Sequence, residues 1–117
     1  MRQITIWHNP RCSKSREAMK ILEERGETPT VVEYLNETPD AETIKAVLTM
    51  LGIGPRELLR TKEDEYKTLK LDDMSLEDGA IIDAMVAHPK LIERPVVIVD
   101  GKAALGRPPE KIIEILS

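Results

Sequence analysis

The stretch Ile4-Thr5-Ile6-Trp7-His8-Asn9-Pro10-Arg11-Cys12-Ser13-Lys14-Ser15-Arg16 decides how this chain is read. Its first four residues form a short apolar run suited to a strand. Ser13 to Arg25 then reads as a helix, with Ala18, Met19 and Leu22 on one face and Gly26 at the stop. Cys12 is the only cysteine, and it falls in the turn that feeds the strand into the helix N-terminus. Unpaired backbone N–H groups and the positive end of the helix dipole favour a thiolate there. Arg11, Lys14, Arg16 and His8 push the same way. The thiolate is the nucleophile, so the residue and its place together point to sulfur chemistry on an anion. A lone cysteine is often just a small buried hydrophobe, but this turn is polar and basic. The second member of a Cys-x-x-Cys pair would stand at Ser15, so any disulfide or thiol adduct needs an outside thiol or a second molecule.

Outward from that turn, Gln3 to Trp7 reads as the first strand and Thr30-Val31-Val32-Glu33-Tyr34, after Pro29, as the second. Strand, helix and strand in close succession form a right-handed βαβ unit with parallel strands. The middle of the chain is helical. Asp40 caps a helix with Ile44, Val47, Leu48 and Leu51 at helical spacing, ending at Gly52. Pro55 to Leu59 adds another turn or two. Lys62 to Leu71 is charged and weakly periodic and is expected to be a solvated connector, and the acidic stretch from Glu63 to Asp78 solvated surface. Ser75-Leu76-Glu77-Asp78 resembles a capping box opening a helix with Ile81, Ala84, Met85 and His88, which Pro89 ends. After Pro95, the apolar run Val96-Val97-Ile98-Val99 suits a strand buried on both faces. Asp100-Gly101 is a strong hairpin signal, with Lys102 to Leu105 as the return strand. Arg107-Pro108-Pro109 opens a last helix with Ile112, Ile113 and Leu116 apolar.

The order β-α-β, helical insert, β-β-α is that of the thioredoxin-like fold. The expected class is α/β, with a mixed sheet and a helical insertion between its halves. One domain is expected over residues 1–117, with the insert at about residues 40–90. That fold places Cys12 where it keeps a redox cysteine and places Pro95, after Arg94, where it has a cis-proline beside the thiol. At 117 residues, 41% hydrophobic and 32% charged, the composition is that of a globular protein with a sizeable core. A formal net charge of -4 argues against nucleic acid or an acidic membrane as partner, so an anion would need a local arginine cluster. No apolar stretch reaches membrane-spanning length. A single free cysteine without a secretion signal suggests the cytoplasm.

The stretch Ile6 to Arg16 resembles the signature of the glutaredoxin-coupled arsenate reductase family. The similarity continues through Glu33-Tyr34-Leu35, Leu58-Leu59-Arg60, His88-Pro89, Ile92-Glu93-Arg94-Pro95-Val96-Val97 and Gly106-Arg107-Pro108. The resemblance implies Cys12 as the catalytic residue and Arg60, Arg94 and Arg107 as oxyanion ligands. It implies His8 as a group that helps hold the thiolate, Ser15 as a hydrogen-bonding partner of the sulfur, and Pro95 as a residue that shapes the site. Guanidinium groups suit this work, since they bind tetrahedral oxyanions in bidentate fashion and stay charged. The implied partners are arsenate, glutathione as co-substrate and glutaredoxin, with no bound cofactor, no metal and a monomeric protein. In the implied mechanism Cys12 attacks arsenic and displaces water, giving a thioester-like arsenate adduct. Glutathione attacks the adduct and reduces As(V) to As(III), leaving a mixed sulfur–arsenic intermediate. Glutaredoxin removes the glutathione, and arsenite leaves. Two other readings fit the same scaffold: a non-catalytic, partner-binding regulator, and a glutathione-dependent thiol reductase acting on another substrate. The arginine triad favours arsenate, because thiol transfer alone does not require three guanidinium groups.

Overall fold

Ile4 and Ile6 of one strand and Val97 and Val99 of another are buried on one face, Trp7 and Val96 on the other, and the sheet is built around these two strands. The computed structural model describes residues 3–106 and 110–116. The chain divides into two compact units, Met1–Glu37 with Arg94–Ser117, and Thr38–Glu93.

In the first unit, β1 (Ile4–Trp7) leads through α1 (Ser13–Glu24) to β2 (Thr30–Val32). Strands β3 (Val96–Val99) and β4 (Lys102–Leu105) follow later in the chain. The four strands lie in the order β2-β1-β3-β4. β1 and β2 are parallel, with Ile6 opposite Val31. β3 runs antiparallel to β1, with Trp7 opposite Val96, and β4 antiparallel to β3, with Val96 opposite Leu105. This is the thioredoxin-like order expected from the sequence. The β3–β4 turn is Asp100-Gly101, with φ of 47° and 82°; both central residues of a tight hairpin turn need positive φ, which Gly meets freely and Asp tolerates. The core of this unit joins Ile4, Ile6, Val97 and Val99 to Ala18 and Leu22 of α1 and to Ile112 and Leu116 of the last helix. Each of the Ile, Val and Leu side chains contributes about 1.5–3 kcal/mol on burial.

The unit Thr38–Glu93 is helical. It contains α2 (Ala41–Leu51), α3 (Pro55–Leu58), α4 (Asp64–Thr68) and α5 (Asp78–Ala87), then a 3-10 turn at Pro89–Leu91. α6 (Glu110–Leu116) belongs to the first unit. Asp40 caps α2 as expected, its Oδ1 accepting from the Thr43 N–H at 2.8 Å. The α3 exit and the residues after the 3-10 turn are tied edge to edge: Leu59 bridges Ile92, and the Glu93 N–H donates to the Leu58 carbonyl at 2.7 Å.

Three expectations need correction. Lys62 to Leu71 is not a simple solvated connector: α4 forms within it and Leu71 is buried. Arg56 holds this segment, donating from Nη1 to the Leu71 carbonyl at 2.7 Å and from Nη2 to the Asp73 carbonyl at 2.6 Å. Ser75 does not cap α5. Its N–H and hydroxyl both go to Asp73 Oδ1, at 2.9 and 2.6 Å, and Glu77 stands at the N-cap. An Asp two residues upstream closes a local Asx turn and outcompetes the capping role. The second strand is also shorter than its sequence suggests, because the Glu33 carbonyl turns to accept the Asn36 and Glu37 amides.

Candidate active site

β1 ends at Trp7, but its pairing continues one step, since the His8 N–H donates to the Val32 carbonyl at 2.9 Å. The chain then turns tightly. The Cys12 N–H donates to the Asn9 carbonyl at 2.9 Å, and the Cys12 carbonyl accepts the Arg16 N–H at 3.0 Å, the first bond of the helix. Cys12 is thus the N-cap of α1, in extended conformation with φ -93°, and no acidic side chain sits in the first turn of the helix. Its side chain is 8% exposed. The sulfur lies at the positive end of the helix, where the dipole favours an anion.

What fixes this turn is Ser15. It is fully buried at the start of α1. Its Oγ lies 2.6 Å from His8 Nδ1 and accepts from the Asn9 N–H at 2.9 Å. The serine therefore binds the first two residues of the loop to the helix that follows it. Asn9 continues the network outward, its Oδ1 accepting the Arg11 N–H at 3.0 Å, and Arg16 Nη1 donates to the Pro10 carbonyl at 2.9 Å. Burial holds the His8 imidazole below its ordinary pKa; Glu33 pulls it back up, and Arg16 adds to the lowering. Near neutral pH His8 is accordingly an uncharged ring, and it acts in this turn through its bond to Ser15 rather than through positive charge.

The sheet register brings a second segment to the same end of the first unit. Trp7 faces Val96, so one step further places Pro95 level with His8. The Arg94–Pro95 peptide is cis. Arg94 is half-buried, with its Nε out of solvent. On the other side of Pro95 stands Gly106, whose N–H donates to the Pro95 carbonyl at 2.9 Å. A Cβ at Gly106 would lie 2.6 Å from Pro95 Cγ and 3.1 Å from Ile112 Cδ1, so the packing of the proline leaves no room for a side chain here. Arg107 follows directly and lies outside the described residues.

In the unit Thr38–Glu93, Arg60 is held at both ends. Its N–H donates to the Leu91 carbonyl at 2.8 Å. Its Nε donates to Glu63 Oε1 at 3.2 Å and its Nη1 to Glu93 Oε1 at 2.9 Å, with the side chain 17% exposed. Glu63 is thus a partner of Arg60 rather than free solvated surface.

His8, Ser15, Cys12 and Arg94–Pro95 are therefore drawn to one end of one sheet, while Arg60 is set by carboxylates of its own unit. Sequence reasoning missed Gly106 as the backstop of Pro95 and both carboxylate partners of Arg60. The Arg60-x-x-Glu63 spacing was an available signal; the Glu93 contact, 33 residues away, left none. Among the described residues no group of three or more His, Cys, Asp or Glu side chains is placed to hold a metal ion. No helix among them is long and apolar enough to cross a membrane.

Comparison with known proteins bears on this arrangement. The family model described as the ArsC family matches residues 7–115. An uncharacterized protein of Escherichia coli K12, YfgD, is 53% identical over 116 residues, covering 98% of each chain. The arsenate reductase of Neisseria meningitidis serogroup B is 48% identical over 117 residues, covering 99% of this chain and 100% of that one. The solved structure of arsenate reductase from Vibrio cholerae matches with a TM-score of 0.94 at 47% identity, covering 97% of each chain.

Proposed function

The chain belongs to the ArsC family, and from that membership we propose that it is an arsenate reductase in which Cys12 is the nucleophile and glutathione and glutaredoxin supply the electrons. The observation that carries the reading is the sole cysteine at the N-cap of α1, in a turn locked by the buried His8–Ser15–Asn9 network. Arsenate reductases among the similar proteins support it. Arg60, Arg94 and Arg107 are proposed to bind the arsenate oxygens and the charge that grows on them during attack. Pro95 shapes the wall beside the sulfur, and His8 and Ser15 hold the turn in which the thiolate sits.

The electron count orders the steps. Cys12 attacks arsenic, a sulfur–arsenic bond forms, and one oxygen leaves as water; arsenic is still As(V). Glutathione adds its sulfur to arsenic with loss of a second oxygen as water, again without reduction. Attachment of a thiolate to As(V) moves no electrons to arsenic, so reduction is assigned to the next step. A glutaredoxin thiolate attacks the glutathione sulfur, an S–S bond forms, and the S–As pair stays on arsenic as As(III). Water then releases arsenite and regenerates Cys12. The sum is one arsenate and two outside thiols giving arsenite, a mixed disulfide and water. A reducing compartment, the cytoplasm, would supply those thiols, and the protein is proposed to act as a monomer.

The test follows NADPH consumption with glutathione, glutathione reductase and glutaredoxin, with and without arsenate, for the wild type and Cys12→Ser. Arsenate-dependent turnover lost in the variant is expected. Oxidation that ignores arsenate would instead mark plain thiol transfer, and no turnover at all would mark a binding protein.

A further inference from the structure

A small cavity lies beside the loop that leads into Cys12. It encloses about 320 Å³, in the range of small-ligand sites, and is lined by His8, Asn9, Arg11, Glu33, Leu35 and Asn36. All of these belong to the unit that carries Cys12. Two of them bear opposite charge, the Arg11 guanidinium and the Glu33 carboxylate. Among the described residues neither side chain forms an ion pair with the other or with any third group. One cation and one anion thus face one small cavity without cancelling each other.

We infer that this cavity binds an α-amino-acid head group, the ammonium at Glu33 and the carboxylate at Arg11, and that it thereby takes the γ-glutamyl end of glutathione. The inference rests on the proposed use of glutathione at Cys12. The chemistry of the lining selects for such a zwitterion. A di-anion such as arsenate would meet Arg11 but also the Glu33 carboxylate, and the two effects oppose each other. A head group of net charge zero that carries both signs satisfies both. Asn9 Oδ1 already accepts the Arg11 N–H, which leaves the side-chain NH₂ as a donor for a carboxylate. Asn36 offers a further amide, and the exposed Leu35 side chain can cover the methylene stem. The cavity adjoins the reacting residue in the chain, since Arg11 and Cys12 are neighbours about 3.8 Å apart at Cα.

The test uses S-methylglutathione, which carries the head group but no free thiol, added to the full chain and followed by amide chemical shifts. Shifts at Asn9, Arg11, Glu33 and Asn36 are expected, with Kd raised about tenfold in Arg11→Ala and in Glu33→Gln. In turnover, the preference for glutathione over 2-mercaptoethanol, which has neither ammonium nor carboxylate, should fall about tenfold in both variants. Absence of those shifts, or equal loss with both thiols, would overturn the inference. Shifts without arsenate-dependent turnover would leave the cavity's role standing and remove the arsenate reading; turnover with an unaltered thiol preference would do the reverse.

Discussion

The turn around Cys12 and the segment around Arg60 are both polar and both largely withdrawn from water, yet they are held by opposite means. In the turn, a fully buried serine joins an imidazole and a backbone amide. At Arg60, a guanidinium is clamped between two carboxylates. Neutral bonds inside a buried site are short-ranged and insensitive to salt, and they leave a large penalty when one partner is removed. Ion pairs near the surface are screened, and one anion can be exchanged for another. The first kind of support suits a nucleophile, the role proposed for Cys12, because its position must persist through a reaction. The second suits the oxyanion-binding role proposed for Arg60, since Glu63 and Glu93 already place carboxylates on its guanidinium.

This contrast can be broken or sharpened by experiment. The largest effect is expected for Ser15→Ala, which leaves His8 Nδ1 and the Asn9 N–H without their shared partner. Chemical unfolding should show a loss of about 1–3 kcal/mol that added salt does not change. A salt-sensitive loss would place the turn in the same class as Arg60. Gly106→Ala should cost a similar or slightly smaller amount, about 1–3 kcal/mol, since a Cβ would press on Pro95 Cγ. Its arsenate turnover should fall as well if Pro95 is a wall of the site; a destabilised variant with full turnover would separate the proline from catalysis.

A smaller effect should appear in the pH dependence of stability. His8 sits below its ordinary value of 6.5 because it is buried. The unfolded chain therefore takes up this proton before the folded one does. The stabilisation is fully present above about pH 6.5 and is lost as pH falls through the folded value. Comparing unfolding midpoints of the wild type and His8→Gln across that window should show the slope only in the wild type. The smallest effect is expected for Glu63→Gln: stability should change by no more than about 1 kcal/mol. The arsenate KM should drop modestly, because one internal competitor for Arg60 is gone. An unchanged KM, at low and high salt alike, would argue that Arg60 is purely structural.

Most of the sheet was legible because its signals are local. Two-residue alternation at Ile4 and Ile6, the Asp100-Gly101 turn and the helical spacing of Ala18 and Leu22 each point to one structure. The misread parts lie where a distant or competing partner decides. The carbonyls of Leu71 and Asp73 are claimed by Arg56, and Ser75 by Asp73; neither outcome follows from periodicity. The same holds at the site. The place of Cys12 is written in strand, turn and helix, and the register that brings Pro95 level with His8 follows from the strand order. The partners of Ser15 and Arg60, and the lack of space at Gly106, emerge only when the chain is folded. His8 was expected to add positive charge, and its burial could not be read from the residues around it.

The Ser15 hydroxyl has only one hydrogen, and one of its lone pairs is already taken by the Asn9 amide. With the imidazole hydrogen on Nδ1, the ring fills the other lone pair and the serine hydrogen turns away. With that hydrogen on Nε2, the serine hydrogen points at the ring instead. A tautomer exchange thus reverses the polarity of a 2.6 Å contact while every heavy atom stays in place. Nitrogen-15 resonances of this single ring would therefore serve as a built-in gauge of events next door, readable without attaching any label to the sulfur.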